Sequence, residues 1–96
     1  MSTITKATTV GSYTYTVPQN ATVRAQGNES IISLSVLPTG AEFIRANIKS
    51  ATIASLGGLI FDMFVWNGVK QIAAFNITSS DITLPSGTQI DVLYLT

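Results

Sequence analysis

The charged side chains of this chain are five acids, Glu29, Glu42, Asp62, Asp81 and Asp91, and five Lys and Arg residues. There is no His and no Cys. That removes the commonest general base, the commonest metal ligand and all thiolate chemistry. What remains for catalysis is a carboxylate pair or a Lys-assisted Ser. No two acids are close in sequence, and only Asp62 and Asp91 are embedded in apolar strand-like runs. If those two runs paired, the carboxylates would approach as the dyad of a glycosidase does. The preferred expectation is that each acid sits at a sheet rim or pairs with Arg or Lys across an interface. The chain also has no phosphate-cradling Gly loop, no calcium-loop spacing and no dinucleotide fingerprint. The reading is therefore of a protein that is not an enzyme, with no cofactor and no metal site.

Asp62 lies within Leu59 to Ile77, where two apolar runs flank Asn67-Gly68. An Asn-Gly pair so placed predicts a β-hairpin, because both residues tolerate the positive φ of a type I′ turn. The turn sets the register, with Trp66 opposite Val69, Phe64 opposite Gln71, Asp62 opposite Ala73 and Ile60 opposite Phe75. Side chains alternate faces along a strand. Leu59, Phe61, Met63, Val65, Ile72 and Ala74 then form a core face. Ile60, Phe64, Trp66, Val69 and Phe75 surround Asp62 and Gln71 on the other face. That second face is too apolar to lie open to water and must be covered by another layer or another chain. The candidate interface is Ile60, Asp62, Phe64, Trp66 and Phe75. Asp62 is expected to be paired or hydrogen-bonded, with Arg24, Arg45 and Lys49 as candidate partners, since a lone buried carboxylate is costly. Trp66, next to the turn, caps the core end, anchors a protein interface or stacks on a sugar ring.

Ninety-six residues make one domain. A chain of this length buries only ~60–65% of its unfolded surface, so it gains from extra support. With no disulfide available, that support is oligomerisation. Charged residues are 10% of the chain and sum to zero, and apolar residues are 46%; an average soluble domain carries ~25% charged residues. A surface so poor in charge favours association. No basic patch is present to neutralise phosphates, so nucleic acid is not an expected partner. No apolar run reaches the ~18–20 residues of a membrane span, and MSTITKATTV lacks the apolar segment of a secretory signal. The expectation is cytoplasmic synthesis.

Residues 1–12 are polar and read as an extended arm, either frayed or lying on a neighbouring subunit, before a domain spanning 13–96. Tyr13 to Val17 alternates as a half-buried strand that Pro18 stops. Thr22 to Ala25 is a short strand, and Ile32, Leu34 and Val36 mark another from Ile31 to Leu37. Leu37-Pro38-Thr39-Gly40 recurs as Leu84-Pro85-Ser86-Gly87, two tight turns with Pro at the second position and Gly closing. From Glu42 to Lys49, apolar and polar residues alternate, which predicts a strand with Ile44, Ala46 and Ile48 inward; a helix over residues 41–56 is the competing reading. Ile82 to Leu84 is short. Gln89 to Leu95 is apolar on both faces, which predicts a central strand, placed beside the hairpin. Asn20, Asn28 and Asn76 each begin an N-glycosylation triplet, read as chance matches. About eight short strands separated by turn signals imply a single all-β domain, an antiparallel β-sandwich or jelly roll.

A Cys-free, Thr/Ser/Ile-rich β chain with low charge and a polar arm resembles the small accessory proteins of tailed-phage virions, both head decoration proteins and fibre- or spike-tip domains. Gln89-Ile90-Asp91-Val92-Leu93-Tyr94-Leu95 after Leu84-Pro85-Ser86-Gly87 is similar to the closing strand of such domains. The resemblance covers the whole chain in style and carries over no functional residue. It implies a virion location and a homo-oligomer, commonly a trimer, bound to a major capsid or other virion protein. The expected function is thus a virion decoration or assembly subunit, with a receptor- or carbohydrate-binding tip domain as the alternative.

Overall fold

In the computed structural model, residues 9–50 and 54–96 are described. Among these residues the fold is all-β, with eight strands in three antiparallel sheets. The strands are β1 (Val10–Thr16), β2 (Ala21–Val23), β3 (Asn28–Ser33), β4 (Glu42–Ser50), β5 (Leu59–Trp66), β6 (Val69–Asn76), β7 (Ile82–Leu84) and β8 (Gln89–Leu95). Short 3-10 turns cover Leu34–Val36 and Ala54–Gly58. One sheet runs β1-β8-β4, a second β3-β6-β5, and the small pair β2-β7 forms the third. Among the described residues, no helix is long and apolar enough to cross a membrane.

The two three-stranded sheets share one core. Ile90 and Val92 of β8 and Ala46 of β4 pack with Ile32 of β3 and Ile72 of β6, joined by Val17 and Leu37. A second cluster lies where β2 and β7 meet the base of the hairpin, through Val23, Leu59, Ala74, Ile82 and Leu84. Phe61, Ile31 and Ile48 touch both clusters. Period-two alternation explains these positions. It sets which residues of a strand share a face, although Ile72, Ala73 and Ala74 of β6 are buried in succession.

β8 is central, as its two-sided apolar pattern predicts, but it does not lie beside the hairpin. Its neighbours are β1 and β4, while β6 takes β3 and β5. Alternation reports which residues share a face, not which strand is adjacent.

Four local expectations are corrected. β1 starts at Val10, so Val10, Gly11 and Ser12 are not arm but ladder, opposite Leu95, Tyr94 and Leu93. Thr9 and Thr96 exchange backbone hydrogen bonds just before it. Residues 1–8, the rest of the expected arm, lie outside the described residues. The strand expected over residues 31–37 is β3, which ends at Ser33; the Ser33 hydroxyl accepts from Ser35 N and starts the 3-10 turn. In the two Pro-Gly turns Pro stands first, not second. Pro38 O accepts from Ala41 N at 3.0 Å and Pro85 O from Thr88 N at 3.1 Å. Gly40 and Gly87 are third, with φ of 78° and 89°, the conformation that a type II turn demands of that position. Finally, β4 is a strand and not a helix, but Ile44 does not point inward. A bulge between Phe43 and Arg45 puts Phe43 against the core and leaves Ile44 exposed.

Gly11 is a packing requirement. It lies opposite Tyr94, and a β-carbon placed on it would overlap the Tyr94 ring. The ring covers this edge glycine, as aromatic residues do in other sheets. Gly11→Ala is expected to displace the ring and to destabilise the fold by about 1–3 kcal/mol, measured as a lower urea midpoint with unchanged slope.

Candidate functional site

The hairpin is built from its loop outward. Asn67 and Gly68 have φ of 51° and 77°, the two positive angles of a type I′ turn, whose twist matches that of the flanking strands. All eight pairs from Trp66–Val69 to Leu59–Asn76 follow in the expected register. Ile60, Asp62, Phe64, Trp66 and Phe75 are thereby brought to one face, the face turned away from the core. Ile60, Trp66 and Val69 are 50%, 60% and 50% exposed. Phe64 and Phe75 are half-buried against their neighbours. The Phe64 and Trp66 rings stack with centroids 6.3 Å apart, and Phe75 meets Phe64 edge-on at 6.4 Å. These rings form a small preorganised platform, since aromatic pairs at such separations hold one another in place.

The opposite face departs from expectation. Leu59, Ile72 and Ala74 are buried, but Met63 and Val65 are 42% and 55% exposed. The hairpin is longer than the core it covers, so its distal half is wet on both faces. The sequence carries a sign of this in Lys70. It stands opposite Val65 on the nominal core face, and a Lys at that position marks the point where the interior has ended. Beside the tip, a cleft of ≈ 410 Å³ is lined by Val69 and Lys70 on one side and by Ser33, Ser35, Leu37 and Thr39 on the other.

Asp62 is exposed rather than buried. Its Oδ1 accepts the N–H of the next residue, Met63, at 2.7 Å, and none of Arg24, Arg45 and Lys49 bonds to it among the described residues. β5 is an edge strand whose outer face is open, so water rather than a cation solvates the carboxylate. Asp62 and Asp91 do not form a dyad, because β5 and β8 belong to different sheets. Asp91 accepts from Thr14 Oγ1 at 2.7 Å, and Asp81 accepts from Ala25 N at 2.9 Å. Among the described residues no three acidic side chains come together.

No family model, characterised protein or solved structure matches this chain. The site is therefore read from its own chemistry. Its exposed groups are aromatic and aliphatic on a rigid two-stranded support, with one carboxylate and one ammonium nearby. Apolar groups of this kind gain free energy when they are removed from water.

Of the three glycosylation triplets, that of Asn76 is closed to modification in the folded chain. Its side chain is buried, and its amide nitrogen donates to Val23 O at 3.0 Å and Ser80 O at 2.8 Å.

Proposed function

We propose that this chain is a non-enzymatic structural subunit that assembles with copies of itself, a trimer being favoured, and attaches to a larger protein shell. The observation that carries this reading is the uncovered apolar face of the β5–β6 hairpin, with Ile60, Trp66 and Val69 each half or more exposed. Removing each such side chain from water is worth roughly 1.5–3 kcal/mol, a large gain for a domain of this size. The low charge of the chain supports the same reading, since few ionic groups oppose association. The resemblance in style to tailed-phage accessory proteins makes the shell a virion and the partner a major capsid or other virion protein.

The second reading is a receptor- or carbohydrate-binding tip domain. Trp66 favours it, being the most exposed ring of the platform and adjacent to the loop. Electron microscopy of the source particle separates the two, since a decoration protein covers the shell and a tip domain ends a fibre.

Light scattering across a concentration series tests the assembly. The wild-type chain is expected to be oligomeric at micromolar concentration. Replacing Trp66 and Val69 together by Ser should yield a monomer with a melting temperature near that of the isolated fold. A wild-type monomer at these concentrations would refute the proposal.

A further inference from the structure

β5 is the outermost strand of its sheet, and no strand among the described residues pairs with its far edge. The two-residue type I′ loop makes Trp66–Val69 a hydrogen-bonded pair, and bonded and non-bonded pairs alternate from there. Phe64, Asp62 and Ile60 therefore turn their backbone groups toward β6. Val65, Met63, Phe61 and Leu59 turn theirs to the open edge. A row of open amides on an eight-residue strand with one charge is a template for another chain. Met63 lies between Phe61 and Val65 on that edge, and its N–H is the one that the Asp62 carboxylate accepts. Asp62 is also the sole ionic group of β5 and is exposed. The side chain thus occupies an inner donor of the edge and places a negative charge there.

We propose that Asp62 guards the edge of β5, preventing it from pairing antiparallel with β5 of a second copy of this chain. The strand is well suited to that partner. With Met63 opposite Met63 of the second copy, Phe61 faces Val65, and the outward amides of both strands meet carbonyls. Each Asp62 then stands opposite Phe64 of the other copy, so pairing would draw both carboxylates off the Met63 amides and into apolar company. The guard keeps assembly on the apolar face of the hairpin and away from open-ended strand addition. It does not depend on that face being an interface. A monomeric wild type would refute the face and leave the guard untouched.

The experiment compares wild-type chain with Asp62→Ala by light scattering and by amide hydrogen exchange read residue by residue. In the wild type, the Met63 amide should exchange more slowly than that of Val65, which meets the same edge without a carboxylate beside it. Asp62→Ala should associate at a tenfold or greater lower concentration than wild type, with the Phe61, Met63 and Val65 amides slowed in the associated form. Adding Met63→Pro to that variant removes that inner donor at a position outside the hairpin ladder, where an edge strand tolerates Pro, and should restore the wild-type mass. The proposal is overturned if Asp62→Ala keeps the wild-type mass at every concentration. It is equally overturned if the association persists with Pro at position 63, or if the wild-type Met63 and Val65 amides exchange alike.

Discussion

Asn76→Ala is expected to cost about 3–5 kcal/mol, on the scale of one to three kcal/mol for each buried polar group left unpaired. Asn76 is only 2% exposed at the end of β6, and all its side-chain hydrogen-bonding capacity is used. Nδ2 donates to Val23 O and to Ser80 O, and Oδ1 accepts from Thr78 N at 2.9 Å and Thr78 Oγ1 at 2.7 Å. One amide therefore ties three parts of the chain: the hairpin, β2 and the turn leading to β7. Alanine removes the amide and leaves the Val23 carbonyl and the Thr78 N–H without their partner, while Ser80 O keeps the Thr78 hydroxyl. A small domain has roughly 5–15 kcal/mol in total, and 1 kcal/mol shifts the melting temperature of one this size by about 4–8 °C. The variant should thus melt some 15–30 °C lower, by a calorimetric or circular dichroism scan. Asn76→Asp should be no better. A carboxylate still accepts from Thr78, but it cannot donate to either carbonyl, and it brings a buried charge. A loss below about 1 kcal/mol in both variants would show that water replaces the amide and that the knot is not a closed one.

The second large effect is expected at Phe43. Phe43→Ala should destabilise the fold by about 2–4 kcal/mol, below the full cost of a wholly buried Phe because the residue is partly exposed. Ile44→Ala should cost less than about 1 kcal/mol. Phe43 packs against the shared core, whereas Ile44 is 44% exposed on the bulge. Simple alternation along β4 predicts the reverse order, because it groups Ile44 with Ala46 and Ile48. Urea midpoints of the two variants at equal slope decide the matter. If Ile44→Ala proves the more costly, β4 pairs with β8 without the bulge, and Phe43 faces water.

These two residues mark where sequence reasoning reached and where it stopped. Local stereochemistry was legible. Asn67-Gly68 permits one tight loop, that loop permits one register, and the register placed Ile60, Asp62, Phe64, Trp66 and Phe75 on a single face. Alternation identified β4 as a strand and β8 as a central one. Each of these depends on a residue and its near neighbours, for which φ preference and the period of two are sufficient. Strand partners, bulges and the extent of the core were decided by tertiary structure. A bulge at Ile44 replaces one ladder position with another at little local cost, and it is favoured only because Phe43 then meets an interior built by distant strands. Met63 and Val65 have the pattern of core residues, yet no facing sheet reaches them. Asp62 sits among apolar neighbours in sequence, yet β5 is an outermost strand and its carboxylate meets water and the Met63 amide. Alternation states which residues share a face. Only the packing of one sheet on another determines whether that face is inside, and how far along the strand the inside extends.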